Sequence, residues 1–200
     1  MNFFAANLAG LSLIALSLFG CASPRPNAQQ FDLGPLPALA STPAASERTI
    51  KVQDISAPAW LDSQAMLYRL HYANAQQALP YANSRWHMPP PQMLTQRLKS
   101  RLAQAGVRVL AGNDGVVAPS LRIELDDFSQ HFSQAQQSQA GFSWRVSLIA
   151  GRQLLAQKTF TQQVAAPRAD AIGGAQALAL ASDRAIDELL LWLSNQPQVK

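Results

Sequence analysis

The sequence predicts one α/β domain, a single layered fold with a mixed, largely antiparallel sheet and two long helices. Segments in which apolar and polar residues alternate, typical of half-buried strands, recur from Thr49 onward. Two longer segments, near residues 90–106 and 170–194, repeat their apolar residues at helical spacing instead. The chain of 200 residues, 48% of them hydrophobic, is long enough to bury a core of its own.

The first half of the predicted domain consists of three strands and a helix. The strands are predicted where apolar and polar residues alternate, at residues 50–55, 66–72 and 81–86. The stretch 74–80 is expected to be a polar turn between the last two. A short edge strand is a further candidate at residues 31–34, since the proline that follows is tolerated at the edge of a sheet.

The first helix is predicted to begin within the three prolines at 89–91 and to end at Gly106, because proline's fixed φ suits a first helical turn. Four apolar residues form the stripe that should face the core: Met93, Leu94, Leu98 and Leu102. Three basic residues of the same helix are expected on its solvent side: Arg97, Lys99 and Arg101.

Four strands and a second helix make up the other half. The strands are predicted at residues 107–110, 121–126, 142–148 and 154–164. Asp170 is the predicted N-cap of a helix that runs to about Ser194. Near its start, Gly173 and Gly174 indicate either a close contact with the sheet or a frayed first turn. Four charged residues are expected on its outer face: Asp183, Arg184, Asp187 and Glu188.

Residues 1–20 are predicted to be a lipoprotein signal peptide. Residues 8–20 form an uncharged apolar run, too short to cross a bilayer but as long as the hydrophobic region of a signal peptide. The run ends in Leu18-Phe19-Gly20-Cys21, which resembles a bacterial lipobox. In proteins with that signal the chain is cut before the cysteine, which carries the acyl chains. We therefore predict lipidation of Cys21, which would hold the protein on a membrane.

Residues 21–48 are predicted to be the acylated N-terminus and a flexible tether, and residues 49–200 the folded domain. Five prolines among alanine, serine and asparagine residues mark the tether: Pro24, Pro26, Pro35, Pro37 and Pro43. A flexible segment of this length has an r.m.s. span of about 30 Å. The tether would let the domain work away from the lipid headgroups.

Composition and motifs argue against several functions. The net charge of +4 comes from scattered basic residues without interleaved aromatics, so the sequence does not predict nucleic-acid binding. Cys21 is the only cysteine, and its acylation would leave no thiol for a disulfide or a metal. His71, His87 and His131 are far apart in the sequence, none has a helical i, i+4 partner for a metal, and each is expected to be a surface or turn residue. With no nucleophile elbow, phosphate loop or zinc-protease motif either, we predict no catalytic residues, no metal and no cofactor.

Several spaced motifs resemble the ABC-type transport auxiliary lipoproteins, the family that includes the paraquat-inducible protein C type. The motifs cover essentially the whole predicted mature chain, at residues 31–34, 59–63, 66–70, 81–86, 89–98, 125–130 and 170–174. The resemblance implies a fold like the N-terminal domain of TolB. It also implies a non-enzymatic role beside ABC transporters whose mammalian-cell-entry (MCE) subunits move lipids between the inner and outer membranes, in support of envelope integrity.

Two partners follow from the resemblance: the outer-membrane lipid that receives the acyl chains of Cys21, and an MCE-domain subunit. Ala22 stands where an inner-membrane lipoprotein would carry aspartate, so the expected location is the periplasmic face of the outer membrane. Six aromatic and basic residues are candidates for partner binding: Trp60, Tyr68, Arg69, Tyr81, Arg85 and Trp86. Cargo, partner identity and oligomeric state, homo-oligomers included, stay open.

Two alternatives belong to other functional classes. A lipid carrier that holds apolar cargo itself would need a closed apolar cavity of several hundred Å³. An envelope hydrolase would need a converged polar triad, for which the sequence offers Asp62, Ser63 and His71.

Overall fold

The computed structural model describes residues 28–39 and 48–197, which form eight strands and two helices. The strands are β1 (Gln29–Phe31), β2 (Thr49–Val52), β3 (Ala65–Leu70), β4 (Asn74–Trp86), β5 (Arg108–Ala111), β6 (Ser120–Gln134), β7 (Gln137–Ala150) and β8 (Gln153–Ala165). The helices are α1 (Pro90–Gln104) and α2 (Ala171–Ser194). The predicted α/β domain with a mixed sheet and two long helices is confirmed. The predicted signal peptide and Cys21 lie outside the described residues.

The sheet is built around β6. One edge of β6 pairs antiparallel with β7, which pairs in turn with β8. The other edge pairs in parallel with two strands in succession, β2 at its start and β3 near its end. Strand β5 extends the sheet beyond β2, and β4 followed by β1 extends it beyond β3. The two longest ladders are antiparallel, whereas four of the seven strand pairs are parallel.

Both helices contribute to one hydrophobic core on the sheet. Helix α2 lies over β6, β7 and β8 and also contacts α1. The predicted apolar stripe of α1 is buried, and the largest core side chains pack as aromatic neighbours, with the ring centroids of Phe142 and Trp144 5.0 Å apart. Outside the core, an Nη of Arg145 on β7 forms a solvent-exposed ion pair with a carboxylate oxygen of Glu124 on β6, at 2.7 Å.

Helix α2 begins as its sequence predicts. The side chain of Asp170 caps the first turn by accepting a hydrogen bond from the backbone N–H of Gly173 at 2.8 Å. Gly174 marks a close contact with the sheet, not a frayed turn, because a Cβ there would overlap Oε1 of Gln130. Gly173 instead packs against the backbone of Arg168, just before the helix. The helix therefore rests directly on β6.

Several strand boundaries differ from the sequence prediction, and β2 ends at Val52 instead of near residue 55. Residues 74–80 belong to strand β4, because the chain turns within residues 71–73, where the Ala73 N–H donates to the carbonyl of Leu70 at 2.9 Å. Strands β6 and β7 run well past residues 121–126 and 142–148, since their serine- and glutamine-rich ends pair with each other across the hairpin. Backbone pairing here extends strands beyond their apolar cores.

Part of the predicted tether belongs to the folded body. An edge strand forms at Gln29–Phe31, slightly before the expected 31–34, and pairs in parallel with Ser84–Trp86 of β4. Leu33 joins the hydrophobic core and is only 7% exposed. Within residues 28–39 and 48–197, neither helix is both long enough and apolar enough to span a bilayer.

The expectation that Arg97 and Arg101 face solvent is wrong. They are 7% and 6% exposed, because each guanidinium reaches across to a carboxylate of α2, Asp183 or Asp187. Asp183 was likewise expected outside, yet its side chain is only 13% exposed. These residues have the spacing of a polar helix face, but they are buried between the two helices because they form ion pairs there.

Candidate functional site

The six candidate partner-binding residues do not form one surface. Tyr68 lies opposite Gln130 of β6, and its ring centroid is 4.7 Å from that of Tyr81. The hydroxyl of Tyr81 donates to Oε1 of Gln130 at 2.9 Å, below the start of α2. Burial, and then the neighbouring Tyr68, raise the pKa of Tyr81, so its hydroxyl stays protonated. The two tyrosines are partly buried and support the contact between sheet and helix.

Trp86 cannot contact a partner in this structure. Its side chain is fully buried, with its ring centroid 5.3 Å from that of Phe128. The sequence prediction is wrong for this residue because Trp86 ends strand β4 on the side that faces the core.

Exposed Trp60 and half-buried Arg69 form an aromatic–cationic pair. The Arg69 guanidinium carbon lies 5.3 Å from the centroid of the Trp60 ring, a cation–π distance, and 41% of Trp60 is exposed. Arg69 also donates to the carbonyls of Ala75 and Gln76 at 3.3 and 3.4 Å. Arg85, the remaining candidate, is exposed beside Gln30 of β1. Trp60 and Arg69 together, here called the Trp60–Arg69 surface, are the predicted contact residues that stay accessible as a pair.

A polar cluster adjoins this surface. The ring centroids of His71 and His131 are 4.6 Å apart, because β3 and β6 pair in parallel. His71 is an exposed turn residue, as expected, whereas His131 is a half-buried residue of strand β6. Nε2 of His131 lies 3.0 Å from a carboxylate oxygen of Asp127 and 3.0 Å from Oγ of Ser129. A Cβ on Gly141 would overlap the His131 ring, so the imidazole lies flat against strand β7.

The cluster does not have the geometry of a nucleophilic relay. In a relay, the serine and the acid bind different nitrogens of the imidazole. Here both meet Nε2 of His131, and the Ser129 hydroxyl donates to Asp127 at 2.7 Å. Ser129 is also fully buried. The arrangement satisfies the polar groups of three side chains on the same face of strand β6.

The contacts of Ser63 do not support its role as the nucleophile of the triad Asp62, Ser63 and His71 that the sequence offered for a hydrolase. Oγ of Ser63 accepts the backbone N–H of Ala65 at 3.4 Å, as in a local turn. Burial lowers the pKa of His71, and the nearby His131 and Arg69 lower it further, whereas Asp127 acts in the opposite sense. Burial and the two neighbouring basic side chains therefore favour the neutral imidazole of His71.

Three open grooves are lined by described residues, with volumes of about 500, 270 and 450 Å³. The first and third share Asp54 and Lys99, and the second lies between residues 32–36 and helix α1. Charged and amide side chains line most of the first and third grooves. The second has a mixed lining, in which leucine and methionine side chains accompany Asp32, Gln96 and Arg97. All three are open to solvent, unlike the closed apolar cavity that a lipid carrier needs. In the described parts of the chain, no group of three or more His, Cys, Asp or Glu residues could hold a metal ion.

Solved structures share this fold. A Xanthomonas campestris protein of the family DUF330 superposes with a TM-score of 0.67 at 18% identity, covering 83% of this chain and 90% of its own. An uncharacterized protein superposes with a TM-score of 0.64 at 15% identity, covering 84% of this chain and 99% of its own. At these identities the likeness shows the fold alone. No curated protein sequence matches the chain.

The family is shown by the sequence itself. The model of the family described as ABC-type transport auxiliary lipoprotein component matches residues 31–190. The match begins within β1 and ends inside α2, so it spans nearly all of the described domain. This chain therefore belongs to the family of ABC-type transport auxiliary lipoprotein components.

Proposed function

We propose that this protein is a non-enzymatic auxiliary component of an MCE-associated ABC transport system that moves lipids between the inner and outer membranes and supports envelope integrity. The protein would be anchored by acylated Cys21 to the periplasmic face of the outer membrane and would bind an MCE-domain subunit. The family match over residues 31–190 carries this proposal. The lipobox-like sequence before Cys21 supports the anchor.

The accessible chemistry favours binding over catalysis. The polar cluster around His131 buries its serine hydroxyl and directs that proton to Asp127. The Trp60–Arg69 surface instead presents a large amphipathic ring beside a guanidinium, the residue types that dominate protein interfaces. This surface is the proposed contact for the MCE-domain subunit.

The binding test uses the acylated protein in vesicles and the purified MCE-domain subunit. We expect micromolar association, which Trp60→Ala or Arg69→Ala should weaken about fivefold or more, the loss expected when an interface anchor residue is truncated. Leu154→Ala is the matched control, since Leu154 is 55% exposed on β8 and lies outside the proposed surface. No association, or equal weakening by all three variants, would contradict the proposed contact.

The anchor is tested separately by mass spectrometry of the mature N-terminus. We expect a chain that begins at Cys21 and carries added acyl mass, and we expect Cys21→Ser to abolish this modification. An unmodified N-terminus cut at another position would rule out the lipoprotein anchor.

A further inference from the structure

Two buried arginines bind the N-terminal segment to both helices. Nε and an Nη of Arg97 donate to the two carboxylate oxygens of Asp183 at 2.6 and 2.8 Å. The other Nη donates to the carbonyl of Gly34 at 3.0 Å. One side chain of α1 thus holds α2 and the chain that precedes β2 at the same time.

Arg101, one helical turn further along α1, repeats the arrangement. It donates to both carboxylate oxygens of Asp187 at 2.8 and 3.0 Å and to the carbonyl of Pro37 at 2.8 Å. The hydrogen bonds to Asp187 raise the pKa of Arg101, with burial opposing, so the guanidinium remains charged. We call Arg97 and Arg101 the arginine clamp, and residues 29–37 the strap.

The strap is also fixed at its beginning. Strand β1 pairs with β4, and the backbone N–H of His87 donates to the carbonyl of Phe31 at 2.7 Å. Leu33 fills the core, and the side chain of Asp32 accepts the N–H of Gly34 at 2.7 Å where the chain turns with φ +68°. Sheet pairing, apolar burial and the clamp therefore all hold the strap to the domain.

This attachment shortens the connection to the membrane. Ala28, the residue before β1, is only seven residues after Cys21. Whatever its conformation, a chain of that length spans at most about 25 Å. A tether running to residue 48 would extend to about 90 Å. Because the strap is already paired with β4 at Gln29, the folded strap removes most of that reach.

We propose that the strap holds the domain within about 25 Å of the lipid leaflet that contains acylated Cys21, with the β1 edge of the sheet toward the lipid. The proposal rests on the acylation in the proposed function. The strand order β1-β4-β3-β6-β7-β8 places β8 five strands from β1. At about 4.8 Å per strand, β8 lies at most about 24 Å from β1, measured along the curled sheet. A partner must therefore approach the domain near the membrane surface.

Energy transfer to headgroup-labelled lipids measures this geometry in the full-length acylated protein reconstituted in vesicles. The acylated protein should carry no free thiol of its own, so a single introduced cysteine takes the donor dye. Asn83→Cys labels β4 beside β1, and Thr159→Cys labels β8; both positions are exposed. We expect the efficiency of energy transfer from position 83 to be at least about twice that from position 159, because the two strands are well separated in the sheet.

Two variants test the cause. Inserting ten Gly/Ser residues after Pro26 lengthens the connection without touching the strap, and should lower transfer from position 83. Arg101→Gln is the control: it weakens only the contact at Pro37, which follows the attachment of β1, so it should leave transfer from position 83 unchanged.

Three outcomes would overturn the proposal: equal transfer from positions 83 and 159, no change on insertion, or failure of the protein to be acylated. The first two leave the anchor and the partner association intact, and are thereby distinguished from failure of the proposed function. The third removes the anchor as well, and mass spectrometry detects it directly.

Discussion

Removing Arg97 should destabilise the domain more than any other charge deletion on helix α1. Arg97→Ala leaves the carboxylate of Asp183 in a site where its side chain is only 13% exposed. Deleting one partner of a buried ion pair costs about 3–5 kcal/mol, because the remaining charge has lost its partner without regaining water. The carbonyl of Gly34 loses a donor at the same time. We therefore expect a loss of about 3–5 kcal/mol in the free energy of unfolding.

Two variants of the same helix calibrate this number. Arg101→Ala removes an equivalent contact, but Asp187 is 49% exposed and can be rehydrated, so we expect about 1–2 kcal/mol. Lys99→Ala breaks a pair with the well exposed Asp54 and should cost less than about 0.5 kcal/mol.

Urea unfolding of the unacylated chain, followed by tryptophan fluorescence, gives all three values. Replacing both partners by Arg97→Met with Asp183→Leu should recover most of the lost stability. Equal losses for Arg97→Ala and Arg101→Ala, or no recovery in the double variant, would refute the reasoning.

Three further predictions concern the hydrophobic core, the contact between α2 and strand β6, and the dependence of stability on pH. Leu98→Ala and Leu125→Ala should each cost about 2–5 kcal/mol in urea unfolding, since both side chains are fully buried; near-neutral values would contradict the assigned core. Gly174→Ala should lower the melting temperature because the new Cβ overlaps Gln130, and Gly174→Ala combined with Gln130→Ala should recover part of the loss. His71 should make the domain less stable as pH falls. Its pKa is lowered from 6.5 in the folded state, so the unfolded chain binds the proton first and stability drops below about pH 6.5. Thermal unfolding between pH 8 and 5 should show that loss, His71→Asn should reduce the slope, and an unchanged slope would exclude His71 as the cause.

Local patterns predicted the elements of this fold well. Alternation located the cores of strands β2, β3, β6 and β7, and helical spacing together with the prolines located α1. The start of α2 was also readable, because an N-cap works through the residues that follow it directly, as Asp170 does with Gly173. Such signals lie within a few residues of the feature that they predict.

The errors arose where distant segments decide the outcome. Arg97 looks like a solvent-facing residue on its own helix, and only Asp183, 86 residues away, draws it inside. His71 and His131 become neighbours through the parallel pairing of β3 with β6, which no local pattern specifies. Strand β1 has three residues and is defined by its pairing with β4. For the candidate site, sequence singled out Trp60 and Arg69 but could not separate them from the buried Trp86.

Genetic epistasis tests the central claim, the auxiliary role in transport, most directly. Deleting the gene should sensitise the cell envelope to detergent, and deleting the partner MCE transporter as well should add nothing further. His71→Ala and Asp127→Ala, which alter the polar cluster, should complement the deletion as long as the proteins fold. Additive sensitivity of the two deletions, together with loss of complementation by a folded His71→Ala protein, would contradict the account and favour a separate, catalytic function.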